Sequence, residues 1–578
     1  MIYNMKSRFT GDVTDKPRQE YPRPQFKRES YLNINGIWNY TIQGKDRVSN
    51  GFDGAILVPF SPETLLSGVM TTVYPEDTLF YHKRFDIPID FIKNKTFLNF
   101  EAVDYECTVT VNGKTAGCHR GGFLPFSIDV SDLIKPGENT VEVIVKDPTD
   151  TSFGGRGKQV LKPGTIWYPP QSGIWDTVWL ESVEDGYIED ITLIPDIDDD
   201  QLKLTVKTDS PVFSYRIFDP VTGETKKEDK NLMANTMVLI PLENYEVWSP
   251  ENPVLYNMEI RTDSDLIETY FGMRKFSVGT HKGIRRLFLN NRPYFHNGVL
   301  DQGYWSDGGL TAPTDEALLY DLEMVKAMGF NMVRKHIKIE TRRFYYYCDK
   351  LGLLVWQDIV NGGGKYNPLV IGILPFLHVM LKDNKYGLFS RENPEGREEY
   401  ETDLYETVKV LKNTVSLAMW VPFNEGWGQF DSDRIAEKLE SLDNTRTIDR
   451  VSGWHDQGSG DFISQHIYFT PIKVPDDERC FLLSEYGGLS SPTPQHTTKG
   501  LPFGYRLYFS KESLEKAFKK LIEEKIEGNI DKGLSAAVYT QVSDVEGEIN
   551  GLVTYDRMVE KMDRDFVKSL NDKCRIEE

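Results

Sequence analysis

Two glutamates stand at matching places in the second half of the chain. Glu425 lies in Val421-Pro422-Phe423-Asn424-Glu425-Gly426-Trp427. Glu485 lies 60 residues later in Leu483-Ser484-Glu485-Tyr486-Gly487-Gly488. Each sits close behind an apolar run and just ahead of glycine, the place where a strand of a parallel α/β domain gives way to a loop. Carboxylates at the C-terminal ends of two barrel strands can face one bond. One then donates a proton while the other attacks or stabilises positive charge, which is the minimal equipment for cleaving a glycosidic bond. A strand-end glutamate is also a common surface or ion-pair residue, so the surrounding elements must carry the argument further.

From about residue 282 the chain alternates strand and helix. Thr314-Asp315-Glu316 caps a helix running to Met328, which Gly329 stops, and Asn331–Ile337 reads as a strand. Arg342–Leu351 is helical and Leu353–Trp356 is the next strand. Strands at 416–421 and 481–483 lead into the two glutamates, Lys511–Lys525 is a helix, and Leu534–Val542 is the last strand. This pattern predicts a (β/α)8 TIM barrel over 282–578. A doubly wound sheet is the alternative, but no GxGxxG follows a strand.

Ahead of the barrel the grammar is all-β. Residues 31–182 alternate in short strands such as Thr108-Val109-Thr110-Val111, followed by Asn112-Gly113, a strong hairpin signal. They read as a jelly-roll β-sandwich. Residues 183–281, with Leu202-Lys203-Leu204-Thr205-Val206, suit an immunoglobulin-like β-sandwich. Residues 1–30 are polar and read as an N-terminal arm laid on the surface. One loop is long, from Asn361 to about Arg397. Its apolar middle, Val370–Leu381, argues against disorder and suits a roof over the site or a subunit contact, the one hint of a homo-oligomer.

Net charge is −21, from 67 basic and 88 acidic residues, and no basic run suits a phosphate backbone, so nucleic acid is not an expected partner. The five cysteines, Cys107, Cys118, Cys348, Cys480 and Cys574, show no CxxC spacing, so neither a disulfide framework nor a zinc site is expected. No apolar signal-peptide core follows the N-terminus, and Val370–Leu381 is too short to cross a bilayer. A cytoplasmic protein without membrane attachment is the expectation.

Further motifs run through the whole chain. They include Gly36-Ile37-Trp38, Phe100-Glu101-Ala102-Val103-Asp104-Tyr105, Gly121-Gly122-Phe123-Leu124-Pro125-Phe126 and Gly173-Ile174-Trp175-Asp176. Later come Trp248-Ser249-Pro250-Glu251-Asn252-Pro253, Phe271-Gly272-Met273-Arg274 and Gly329-Phe330-Asn331-Met332-Val333-Arg334. In this order they resemble glycoside hydrolase family 2, the superfamily of β-galactosidases, β-glucuronidases and β-mannosidases. The resemblance implies a retaining mechanism with Glu425 as acid/base and Glu485 as nucleophile. It also implies Asn424 on the sugar 2-hydroxyl, Arg334 beside the nucleophile and Tyr468 donating to it. His336, His466 and Trp454 are further candidates for sugar contact. No cofactor or metal is implied.

The chain departs from the family where the sugar is read. The glucuronidase branch carries an Asn-x-Lys clamp, and Asn550-Gly551-Leu552 has no lysine there. The galactosidase branch has a Trp-rich last strand, and here the stretch is Val538-Tyr539-Thr540-Gln541. Trp167-Tyr168-Pro169-Pro170-Gln171 stands where several relatives place an aspartate. The expectation is an exo-acting retaining β-glycosidase for a small glycoside or short oligosaccharide, with a neutral hexoside such as a β-galactoside first. A mannoside, glucuronide or arabinoside is the alternative substrate, and a non-catalytic carbohydrate-binding protein the alternative class.

Overall fold

The structure is a computed structural model that describes residues 3–45, 47, 51–377, 379–498 and 502–577. Its architecture is three successive bodies: two antiparallel sandwiches and a parallel barrel. In the first sandwich a four-stranded sheet orders 32–33, 178–183, 95–100 and 126–129. A six-stranded sheet orders 54–58, 36–43, 78–87, 137–146, 106–111 and 114–120. Period-two alternation drives the pairing. Val141, Val143 and Val145 point inward beside Val109 and Val111, while Glu142 and Ile144 face out. The hairpin at Asn112-Gly113 forms as expected, with φ of 50° and 77° at the two turn residues.

The second sandwich packs a three-stranded sheet (188–196, 201–208, 237–241) on a four-stranded one (225–233, 212–218, 256–261, 266–271). Its core is built from Ile191, Leu204, Ile217, Met258 and Ile260. The hairpin of Phe276–His281 and Ile284–Leu289 follows, so the boundary read at 281/282 falls in its turn. Leu287 and Leu289 from this hairpin join the cluster that fills the barrel interior.

The barrel strands in chain order are His296–Asp301, Met332–Lys335, Leu354–Asp358, Leu417–Val421, Thr447–Ile448, Phe462–Ile467, Cys480–Gly487 and Leu534–Thr540. Their order in space is 5-4-3-2-1-8-7-6, all parallel where paired. Helices Asp315–Ala327, Arg342–Leu351, Pro394–Leu411 and Ser432–Leu442 follow strands one to four. Lys511–Leu521 follows strand seven and Arg564–Asn571 follows strand eight. Among the described residues no helix follows strand five or strand six, a departure from the regular eightfold repeat. The Thr314 hydroxyl accepts from Ala317 N–H and caps the first helix as expected.

The N-terminal arm is tied down more deeply than its polar composition suggests; Met1 and Ile2 lie outside the described residues. Tyr3 is buried and donates to the Pro169 carbonyl (2.9 Å), and the Ser7 hydroxyl donates to Asp307 (2.6 Å). Arg28 pairs with Glu181 (3.0 Å) and Asp265 (2.8 Å). These bonds stitch the arm to the first sandwich, the second and the barrel. The five cysteines are free. Among the described residues no helix is long and apolar enough to cross a membrane.

Candidate active site

Alternation along the barrel strands decides what reaches the open end. Met332, Trp356, Met419, Leu482 and Val538 fill the interior, whereas Val333, Val355, Trp420 and Leu483 face the helices. Stepping two residues from an interior position therefore brings Arg334, Asp358 and Ser484 inward at the strand ends. By the same count Glu485 would face outward. The register slips by one residue at this point against both neighbouring strands, between Gln465 and His466 on one side and between Leu483 and Tyr486 on the other. The extra residue lets Ser484 and Glu485 both serve the interior before Tyr486 returns to the outer core. Ser464, His466 and Tyr468 alternate inward from the adjacent strand six.

Glu425 reaches the same place from the loop after strand four. Its backbone is left-handed (φ 48°), as is that of Gly426 (φ 70°). For a glutamate this costs on the order of 1–3 kcal/mol, a strain typical of functional sites. The turn is held by Glu425 N–H donating to the Ser452 carbonyl (3.0 Å).

Arg334 organises the centre. It is fully buried and grips Asp358 with two bonds of 3.0 Å. It also donates to Glu485 Oε1 (3.3 Å), the Ser484 carbonyl (3.1 Å) and Asn424 Oδ1 (2.8 Å). Because Asn424 accepts from Arg334 through Oδ1, its amide Nδ2 is fixed as a donor. That buried nitrogen has no protein partner, so it is available to a ligand oxygen. Tyr468 donates to Glu485 Oε2 (2.5 Å), and its ring stacks on Tyr505 at 3.9 Å.

His466 Nδ1 lies 2.8 Å from Glu425 Oε1 and 3.6 Å from Glu485 Oε2. Its Nε2 is bonded to the Ser452 hydroxyl (3.0 Å). An imidazole has only two polar atoms. The two ring nitrogens of His466 are thus engaged by the carboxylates and Ser452. His336 has Nδ1 3.0 Å from Asp358, and its ring stands nearly perpendicular to that of Trp427 at 6.0 Å. Trp454 lies beside His466 with ring centroids 6.4 Å apart.

The two glutamates have opposite electrostatics. Burial raises Glu425 above the ordinary carboxylate value; the His466 bond opposes this, and the Glu485 charge adds to it. Burial also pushes Glu485 upward, but His466, Arg334 and His336, with the Tyr468 bond, outweigh it and bring it down to about 2. One group is thus disposed to hold a proton and the other to stay ionised. Glu425, His466 and Glu485 have ligand atoms within 4.8 Å of one another, the arrangement among the described residues that could hold a metal ion. Those atoms are already engaged in hydrogen bonds among themselves and with Tyr468 and Arg334.

Several groups around the centre escaped the sequence reading. Asp358 ends the third strand, two residues beyond inward-facing Trp356 as Arg334 is beyond Met332, and the apolar run Leu353–Trp356 just before it was the available signal. Trp167, noted in the sequence only as part of a departure from the family, comes from the first sandwich and packs on Trp427 at 5.0 Å and on Tyr366 at 5.7 Å. Lys158, from the same loop, lies 5.8 Å from the Trp427 ring. Tyr505 and Glu548 arrive from loops after strands seven and eight. The long loop after strand three also joins this face. Leu381 N–H donates to His455 Nδ1 (3.2 Å), and His455 Nε2 is 2.9 Å from the Val370 carbonyl. Leu369, Ile373 and Leu377 of this segment remain exposed; His378 lies outside the described residues.

Comparison with known proteins gives the same architecture. Three family models match in succession: "Glycosyl hydrolase 2 galactose-binding domain-like" over 67–158, "Glycosyl hydrolases family 2" over 186–274, and "Glycosyl hydrolases family 2, TIM barrel domain" over 282–490. The chain is 24% identical to a β-galactosidase of Staphylococcus xylosus over 506 residues, 81% of this chain and 45% of that protein. It is 26% identical to a β-glucuronidase of Streptococcus agalactiae, over 70% of this chain and 68% of that protein. It spans less than half the length of several curated relatives it matches. In fold it is similar to a β-D-glucuronidase of Dictyoglomus thermophilum, with a TM-score of 0.74 and 19% identity over 96% of this chain and 98% of that one. With three family models in register on two sandwiches and a barrel, this chain belongs to glycoside hydrolase family 2.

Proposed function

We propose that the chain is a retaining, exo-acting β-glycosidase. Glu425 protonates the leaving oxygen and Glu485 attacks the anomeric carbon. Glu425 then takes a proton from the incoming water. The observation that carries this reading is the closeness of two carboxylates with opposed proton affinities. Their nearest ligand oxygens fall within 4.8 Å of each other. Retaining glycosidases hold their carboxyl groups about 5–5.5 Å apart, whereas inverting ones leave about 6.5–9.5 Å for a water. Asn424 Nδ2 is the donor for the sugar 2-hydroxyl, a contact that strengthens in the transition state. Trp454 and His336 flank the glycone.

A neutral hexoside, with β-galactoside first, is the preferred substrate, and the relatives named β-glucuronidase make the uronide the competing one. Free cysteines suit a reducing compartment, and with it short imported glycosides as substrates. The test is a panel of nitrophenyl α- and β-glycosides, covering galactose, glucose, mannose, glucuronic acid, xylose and arabinose, run on wild type beside Glu485→Ala. Activity on a β-glycoside that vanishes in the variant is expected. Equal activity in both proteins refutes the nucleophile assignment.

A further inference from the structure

One pair of buried opposite charges near the catalytic carboxylates is not directly bonded. Lys158 Nζ is 4.0 Å from Glu548 Oε2, with side-chain exposures of 4% and 2%. This is wider than a direct hydrogen bond. Glu548 is tightly oriented. Its Oε2 accepts from the Tyr168 hydroxyl (2.7 Å) and its Oε1 from Asn550 Nδ2 (3.1 Å). Behind Asn550 the amides run in one direction: Gln302 donates to Gln541 (2.8 Å), and Gln541 donates to Asn550 (2.7 Å). Lys158, by contrast, has one long bond of 3.5 Å, to the Tyr168 hydroxyl. A buried ammonium with three donors and a single weak acceptor is costly unless a ligand completes it.

The pair lies beside the catalytic groups: Glu548 is paired with Phe503, whose ring packs on Tyr505 at 5.5 Å. Lys158 lies over Trp427, two residues beyond Glu425, and its charge is felt at Glu425 and His336. Tyr505, stacked on Tyr468, senses Glu548, Glu425 and Glu485 together. Two domains meet here, because Lys158 and Tyr168 come from the first sandwich and Glu548 from the barrel.

Building on the β-glycosidase reading above, we propose that Lys158 and Glu548 form a specificity pair for a neutral glycone, bridged by one sugar hydroxyl that accepts from Nζ and donates to Oε2. A single oxygen can lie about 2.8 Å from both atoms across a 4.0 Å gap. Only a group that both donates and accepts satisfies the two sides. A hydroxyl does so, whereas an ionised uronate carboxylate has no hydrogen for Glu548 and meets it as a like charge. A deoxy sugar leaves both charges unpaired. The pair thus performs a selection opposite to that of a lysine clamp for uronides.

The test compares kcat/KM on matched nitrophenyl β-hexosides and β-uronides for wild type, Lys158→Met and Glu548→Gln, with Glu485→Ala as the chemistry control. Wild type should favour the neutral member of a pair. Lys158→Met should lose roughly 10²-fold or more on it, since sites built to bond a hydroxyl depend steeply on that bond. Glu548→Gln should narrow the neutral-to-uronide ratio, a change that general destabilisation does not produce. Thermal shift of wild type with free sugars checks the same point without variants: the neutral sugar should raise Tm more than its uronic acid. A Glu485-dependent preference for uronides, or Lys158→Met within threefold of wild type, overturns the pair and leaves the catalytic reading standing. Absence of turnover on every glycoside removes both.

Discussion

Tyr468→Phe removes the hydroxyl that bonds the proposed nucleophile and, at 3.1 Å, the Thr540 hydroxyl. The variant keeps the ring that stacks on Tyr505 at 3.9 Å and deletes only the hydroxyl that donates to Glu485 Oε2 at 2.5 Å. Hydrogen bonds to charged groups contribute about 1.5–3 kcal/mol, which converts to a loss of roughly 10- to 150-fold at about 1.4 kcal/mol per decade. Protonation of Glu485 is not the route of that loss. Glu485 is held at about 2, and the same energy would raise it by only about one to two units, leaving it ionised at neutral pH. The deficit should therefore appear in kcat at pH 7 through misorientation, with the acid limb of kcat/KM moving upward. Steady-state kinetics between pH 3 and 9 on the best substrate measures both. A kcat within twofold of wild type, with an unmoved acid limb, would refute the claim that Tyr468 positions the nucleophile.

The raised proton affinity of Glu425 makes activity present below its pKa and lost as pH rises through it, so Glu425→Gln should abolish the alkaline limb on substrates whose leaving group needs no proton; a persisting limb assigns it to another group. Arg334→Met should cost both fold and turnover, because it strands Asp358 and Glu485 as buried charges, a loss of about 3–5 kcal/mol for a broken buried pair; calorimetry showing an unchanged Tm would deny that role. Gly428→Ala should fail twice, since its φ is +65° and a Cβ would meet the Gly362 carbonyl at 2.2 Å; soluble, fully active protein would contradict the tight seat of that loop. His455→Phe should speed hydrogen exchange and proteolysis across 369–381 by removing both anchoring bonds, and unchanged protection would show the segment is held elsewhere.

Much of the site could be read locally, because strand ends announce themselves. Glu425, Glu485 and Arg334 each close an apolar run, and alternation then decides which face they take. The slip of register at Ser484-Glu485 was invisible, since a bulge depends on both neighbouring strands and leaves no mark in one of them. His466 was noted, but its bonds to Glu425 and Ser452 were not legible because those partners lie 41 and 14 residues away in sequence. Lys158 escaped, and Trp167 and Tyr168 registered only as a departure from the family, because they sit on a sandwich loop whose approach to the barrel is a tertiary fact. That no helix follows strands five and six among the described residues has a clearer meaning. The loop with Trp454 and His455 lies against the catalytic face there, and His455 pins the apolar segment after strand three.

The most direct measurement on the central claim is proton NMR of the first anomer released from the best β-glycoside, recorded before mutarotation. A retaining pair leaves no room for a water between Glu485 and the anomeric carbon in the first step, so the β-anomer is expected first, and the signal should vanish in Glu485→Ala. Initial release of the α-anomer would contradict Glu485 as nucleophile and the retaining geometry with it.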